Sequence, residues 1–344
     1  MSEVPYVRDI LSQPEALVSA LQAFDATALK DVSAQLKAGA YDRVVLTGMG
    51  ASYHSGYPAW LMLSQGSVPV LWVDAAELIH HARKLVTPRT LLWMTSQSGR
   101  SAEIAAALSG GRLNQPATLI ATVNDLQSPL AAAAAVCLPM QAEPEATVST
   151  RTYVNSLALG QLGAIALLGG DVEWARRDLL ETAAAMKECL ADWRGLKRRL
   201  ADLIGFPRRL VLLGRGSSLC SAFSGALVLS EAAKYLATPF EVAQFRHGPL
   251  EIAGPDLTVL IFEGEESTRE LNFDMLRELR EAGATAFCIG STAQEWQLPI
   301  PAVPIIGLPL MEIVPIQALS VHLAEAIGVT PGDFFRIGKV TLKE

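Results

Sequence analysis

Basic residues are in deficit. The 344-residue chain holds 28 Lys and Arg against 35 Asp and Glu, a net charge of −7. Binding along a nucleic-acid backbone needs a basic face, so a general nucleic-acid binder is excluded, while one small anion held by local donors is not. Cysteine is scarce too: Cys137, Cys189, Cys220 and Cys288 are scattered, with no CxxC pair, and read as buried free thiols rather than disulfides or ligands. No pair or trio of His, Cys, Asp and Glu has metal-ligand spacing, so no metal and no cofactor are expected. The start Met1-Ser2-Glu3-Val4-Pro5 has neither a basic head nor an apolar run, and so does not read as a signal peptide. The longest nearly apolar stretch, about Leu157 to Gly170, looks too short and too rich in Gly to cross a bilayer. What is abundant is apolar character, 50% of residues, enough for a sizeable core. A soluble, cytoplasmic, globular protein is expected, with no membrane or nucleic-acid partner.

Short two-sided apolar runs alternate with helical patterns. Arg43-Val44-Val45-Leu46-Thr47, Val68 to Val73, Thr90 to Met94 and Thr118 to Val123 read as strands, and Ser101 to Leu108 as a helix. Such runs imply a parallel sheet covered on both faces, an α/β fold. The plan recurs. Arg43 to Ser52 resembles Arg209 to Ser218 at an offset of 209 − 43 = 166, and the same offset sets Leu257-Thr258-Val259-Leu260-Ile261 on the strand that starts at Leu91. Two tandem α/β domains are therefore expected: an N-terminal helical segment at 1–40, a first domain at 41–170, a helical connection at 171–204, a second domain at 205–330 and a tail at 331–344.

The third apolar run ends in Thr95-Ser96-Gln97-Ser98-Gly99-Arg100-Ser101, neutral donors with one cation. The matching positions of the second half are Ile261-Phe262-Glu263-Gly264-Glu265-Glu266-Ser267, with three carboxylates. Only the first loop suits an anion. A loop leading from a parallel strand into a helix offers backbone N–H groups and the positive end of the helix dipole. Ser96, Ser98, Ser101 and Gln97 add donors, and Ser52, in Gly48-Met49-Gly50-Ala51-Ser52, reaches the same anion from the neighbouring loop. Ser101 could instead be only a helix cap, but a cap leaves the four residues from Thr95 to Ser98 unexplained. A dinucleotide is disfavoured, because Tyr53 stands where the third glycine of GxGxxG would be.

With Gly225-Ala226-Leu227-Val228-Leu229-Ser230-Glu231 and Phe245-Arg246-His247-Gly248-Pro249-Leu250, these features resemble the sugar isomerase (SIS) family. The likeness is to its double-domain members, such as the isomerase half of glucosamine-6-phosphate synthase and related phosphosugar isomerases, deaminases and deglycases. The spacing of Glu231 and His247, 247 − 231 = 16, fits that pattern. The resemblance implies two tandem three-layer αβα domains with parallel, flavodoxin-like sheets. It implies that Ser52, Ser96, Gln97, Ser98 and Ser101 bind the phosphate of a sugar phosphate. Glu231 would move a proton between C1 and C2 of the opened sugar. His247 would open the ring from the other subunit of a homodimer, and Lys339 would sit in a C-terminal tail over the site. Gly50, Ala51, Glu145, Ser149, Thr150 and Arg100 would line the substrate. The chemistry is coherent: one carboxylate can carry a proton between neighbouring carbons, a histidine suits ring opening near neutrality, and a lysine steadies a developing oxyanion.

Blander readings stand beside these. Glu231 alone would be an exposed helix carboxylate, though it ends an apolar stretch and precedes Ala232-Ala233. His247 adjoins Gly248-Pro249 and so lies on a loop. His80 and His81 read as solvated, His322 as packing, and His54 as near the first glycine-rich turn. The sequence also departs from the synthase pattern: Val228 replaces a lysine three residues before Glu231, and only about 40 residues, with no cysteine nucleophile, precede the first strand. Synthesis of glucosamine 6-phosphate from glutamine is therefore not expected of this chain. Isomerisation, deamination and deglycation remain open, Arg100 favouring a substrate with a carboxylate. A non-catalytic phosphosugar sensor that binds another protein is the alternative.

Overall fold

A computed structural model describes residues 4–111, 113–292 and 295–343. Its strands form two parallel five-stranded sheets, which establishes the α/β fold expected from the apolar runs. The first sheet contains β1 (Arg43–Thr47), β2 (Val70–Trp72), β3 (Thr90–Ser96), β4 (Thr118–Val123) and β5 (Val136–Pro139), in the order β2-β1-β3-β4-β5. The second contains β6 (Arg209–Gly214), β7 (Ala237–Glu241), β8 (Leu257–Phe262), β9 (Thr285–Gly290) and β10 (Gln297–Pro299), in the order β10-β9-β8-β6-β7. Taken from the other edge, that is β7-β6-β8-β9-β10, the same flavodoxin-like order. Both sheets carry helices on their faces, so central strands have no solvent side. All seven residues of β3 and all six of β8 are buried.

By internal contacts the chain divides into two units, each drawn from more than one segment. The first-half unit comprises Glu15–Glu145, Ser149–Leu180 and Arg336–Glu344, and the second-half unit Met1–Pro14, Ala146–Val148 and Glu181–Phe335. Helices Gln13–Ala23 and Lys30–Lys37 precede β1, and helices Val172–Ala191 and Trp193–Ile204 precede β6.

Two sequence expectations shift. The strand read over Val68 to Val73 contracts to Val70–Trp72, since it lies at an edge and Pro69 has no N–H to give the ladder. β3 runs two residues further than its apolar core, because Thr95 and Ser96 pair with Thr122 and Val123 of β4. A third expectation is corrected. Among the described residues the long apolar helix is Ile305–Ala326, 22 residues with mean hydropathy 1.5 over an 18-residue window, not Leu157 to Gly170. It is long and apolar enough to cross a membrane, yet most of it is buried inside the fold. It also carries Pro315 and the buried polar residues Glu312, Gln317 and Ser320. Gln317 and Gln13 exchange amide hydrogen bonds of 2.8 and 2.9 Å, and Ser320 Oγ lies 3.1 Å from the Tyr6 hydroxyl. Internal partners of this kind mark a core helix.

Candidate functional site

Within the first-half unit, Ser52 and the Ser96–Ser101 loop follow the carboxyl ends of β1 and β3, adjacent strands of the sheet. Gly48 lets the two approach: a Cβ there would lie 2.9 Å from the Thr95 carbonyl oxygen. Gly50 (φ 52) then starts the helix Ala51–Ser55, in whose first turn Ser52 sits half-buried. Ser96 Oγ accepts the Gly99 N–H at 3.1 Å and Ser98 Oγ accepts the Arg100 N–H at 3.2 Å. Both hydroxyls serve as acceptors there, so their protons stay available to donate. Ser101 stands at the N-cap of helix Ala102–Leu108 and makes no capping bond with its side chain. The hydroxyl is thus not committed to the cap. The structure therefore places Ser52, Ser96, Gln97, Ser98 and Ser101 at the carboxyl end of one sheet.

Two details differ from the sequence reading. Not every backbone N–H of the loop is open: those of Gly99 and Arg100 bond to serines, and that of Ala102 donates to the Thr341 carbonyl at 3.0 Å. Arg100, expected to meet a substrate carboxylate, is paired with Asp125 at 2.9 Å and donates to the Gln127 carbonyl at 2.8 Å. A carboxylate of the chain itself already fills that role. Gly99 is constrained from the same side. With φ +60, a Cβ on it would come within 2.2 Å of Ser128 Oγ, so its bareness serves packing as well as access.

Glu145 is a buried hub that joins Thr150 to the partly exposed Lys339. Glu145 Oε1 accepts the N–H groups of Thr150 and Thr152, each at 2.9 Å, and Oε2 accepts the Thr152 hydroxyl at 2.7 Å and Lys339 Nζ at 2.9 Å. It thereby caps the 18-residue helix Arg151–Leu168. Burial pushes its pKa up, but the Lys339 charge and the Thr152 bonds outweigh it and hold the carboxyl below its ordinary value. Ser149 lies alongside, half-buried.

The second-half loop is closed by its own carboxylates. Glu265 Oε1 accepts the Ser217 N–H at 3.3 Å and its hydroxyl at 3.1 Å. Glu263 is buried and paired with Arg269 at 2.9 Å. Glu312 accepts the hydroxyls of Ser218 at 2.7 Å and Ser221 at 2.6 Å. Ser218 is the counterpart of Ser52 at the 166-residue offset, 218 − 52. A carboxylate thus answers in the second half the hydroxyl that corresponds to Ser52 in the first. Burial raises Glu312 to about 7, Glu263 and Glu265 add to the rise, and the two serine hydroxyls oppose it. A carboxyl raised in the folded state stabilises below its unfolded pKa, and that stability is lost as pH climbs through the folded value. Between pH 4.5 and 7 the loss amounts to about 3 kcal/mol. Glu312→Gln should therefore flatten the fall in urea midpoint between pH 5 and 8; an unchanged slope would refute the assignment.

Glu231 and His247 belong to the second-half unit. Glu231 is half-buried in the last turn of helix Leu219–Ala233. His247 caps the short helix Val242–Arg246 and is exposed. The sequence reading missed Tyr6, a buried phenol close enough to Glu231 for the carboxylate charge to act on it. Burial first, then that charge, pushes its pKa above the usual tyrosine range. His54 is driven down to about 4 by burial and is neutral near pH 7. Tyr53 stacks on Trp72 at 3.9 Å, filling the space a dinucleotide fingerprint would keep open. Among the described residues no group of three or more His, Cys, Asp and Glu is placed to hold a metal.

The chain matches the SIS domain profile over residues 40–166 and 206–324. A glutamine–fructose-6-phosphate aminotransferase (isomerizing) of Pyrococcus horikoshii is 28% identical over 335 residues, 94% of this chain and 55% of that protein. The chain thus spans about half the length of the curated relatives it matches. Among solved structures, the C-terminal domain of glucosamine-fructose-6-phosphate aminotransferase from Francisella tularensis superposes with TM-score 0.85 at 20% identity, covering 96% of this chain and 98% of that one. Glucosamine-6-phosphate deaminase from Thermotoga maritima superposes with TM-score 0.76 at 17% identity, over 98% of this chain and 100% of that one. With both segments matched by one profile, and with the fold to go with it, the chain belongs to the SIS domain family.

Proposed function

We propose that the protein is an enzyme that binds the 6-phosphate of a sugar or amino sugar and moves a proton between its C1 and C2. The observation that carries this reading is the contrast between the two loops after the third strand. One offers serine hydroxyls and an uncapped Ser101, while the other fills its place with Glu265 and Glu312. An anion fits the first alone. Glu231 is the group proposed to carry the proton, His247 to open the ring and Lys339 to steady the oxygen at C1 or C2. Supply of His247 by a second subunit makes the proposed unit a homodimer. The relatives' names point to isomerisation and deamination, both of which begin with proton transfer at C1 and C2. Release of an amine from a glycated adduct begins in the same way.

The test is a panel of hexose, hexosamine and fructosamine 6-phosphates followed by NMR, reading exchange of the C2 proton with solvent and release of amine. Exchange with at least one substrate is expected, and Ser98→Ala and Ser101→Ala should each raise its KM by about 10- to 100-fold, since each lost bond to an ionised group costs about 1.5–3 kcal/mol. Binding without exchange across the panel would favour the alternative, a phosphosugar sensor that signals to another protein.

A further inference from the structure

Helix Leu219–Ala233 ends in an unusual way. Its C-cap residue Lys234 has φ 54 and ψ 30, a left-handed conformation that glycine normally takes and that costs a residue with a Cβ. The backbone there is well tied: the Tyr235 N–H donates to the Leu229 carbonyl at 3.1 Å, and the Gly332 N–H donates to the Ala232 carbonyl, also at 3.1 Å. The lysine side chain supplies what glycine could not. Lys234 Nζ donates to the carbonyls of Glu231 and Asp333. It lies 4.9 Å from the ring centroid of Phe335 and 5.7 Å from that of Phe334. One ammonium group therefore touches the carbonyl of Glu231 and three consecutive residues at the root of the C-terminal tail. Gly332 itself is seated against Tyr6, whose Cβ would lie 2.6 Å from an added Cβ. One residue past Phe335 the chain passes into the other unit, where the same tail carries Lys339 to Glu145.

We propose that Lys234 is a positioning residue, a strap that seats the root of the C-terminal tail, Gly332 to Phe335, on the last turn of the helix bearing Glu231. The strained cap persists because only a long cation at that point reaches both tail carbonyl and tail rings. Movement of the tail root and the setting of the Glu231 turn are coupled through it. The strap itself stands without any assigned reaction; its kinetic consequence rests on the phosphosugar reading.

Amide hydrogen exchange of the full chain tests the strap directly. Lys234→Met keeps the stem and removes the charge, so amides from 332 to 343 should exchange about tenfold faster while those of the two sheets stay as in the native protein. Lys234→Arg keeps the charge and should restore most of the protection. Should Lys234→Met fail to fold, Phe335→Leu, at an exposed position, removes the ring alone and should speed tail exchange in the same direction. Native-like tail exchange in these variants, or equal loosening in the Met and Arg variants, overturns the proposal. In the kinetic arm, Lys234→Met should lower kcat about tenfold with KM for the phosphosugar little changed, the signature of a group that positions rather than binds. If the native protein turns over no phosphosugar, the functional reading fails while the exchange result still decides the strap.

Discussion

Glu231→Gln should abolish turnover while leaving phosphosugar binding intact. The amide keeps the shape of the carboxylate and cannot take a proton from carbon. General acid–base groups of this kind contribute about 10²–10⁴ in rate, so kcat should fall by about 10³. The proposed phosphate contacts lie on the Ser96–Ser101 loop and on Ser52, remote in sequence, so the Kd measured by calorimetry should move by less than about twofold. Native turnover in the variant would remove Glu231 from the reaction. The same variant tests the shared site. Each of Glu231→Gln and His247→Ala lacks one proposed group, and mixed dimers recover one complete site if His247 comes from the partner. Regained activity on mixing is expected, and its absence after verified subunit exchange would count against a site built from two copies.

The sequence revealed most where the physics is local. β3 and β8 read correctly because a strand buried on both faces shows a continuous apolar run. Edge strands gave weaker signals: β7 contains Pro239, and β10 is three residues long, so neither announced itself. The Ser96–Ser101 loop stood out because its second copy differs in charge, and the structure adds the reason the second copy is closed. The pairing of Arg100 was not legible. Nothing local ties it to Asp125, 25 positions along the chain. Tyr6 and Lys234 were missed for the same reason. Tyr6 gains its significance from Ser320 and Glu231, and Lys234 from Asp333 and Phe335, contacts of about 100 residues' separation or more. Periodicity reports which face of an element is buried and says little about the neighbour that faces it.

The largest stability loss should come from Glu145→Ala. This carboxylate is buried, and it accepts hydrogen bonds from the first turn of helix Arg151–Leu168 and from Lys339. Truncation leaves the N–H groups of Thr150 and Thr152 without this acceptor and removes the Glu145 charge from Lys339. Removing one partner of a buried pair costs about 3–5 kcal/mol, more than the pair adds relative to an apolar replacement. Urea denaturation at pH 7 should show a loss of that size, with the m-value preserved. The pH dependence follows from the direction of the shift. A carboxyl held below its ordinary value in the folded state contributes stability above its unfolded pKa and loses it as pH falls through the folded value. The gap between native and Glu145→Gln proteins should therefore be widest at neutral pH and shrink as pH falls below the ordinary carboxylate pKa. Pairing with Lys339→Met in a double-mutant cycle isolates the ion pair from the cap. Lys339→Met alone should cost less than Glu145→Ala, because the ammonium is partly exposed and the cap bonds survive its loss. Equal losses would assign the whole effect to the ion pair and none to the helix terminus.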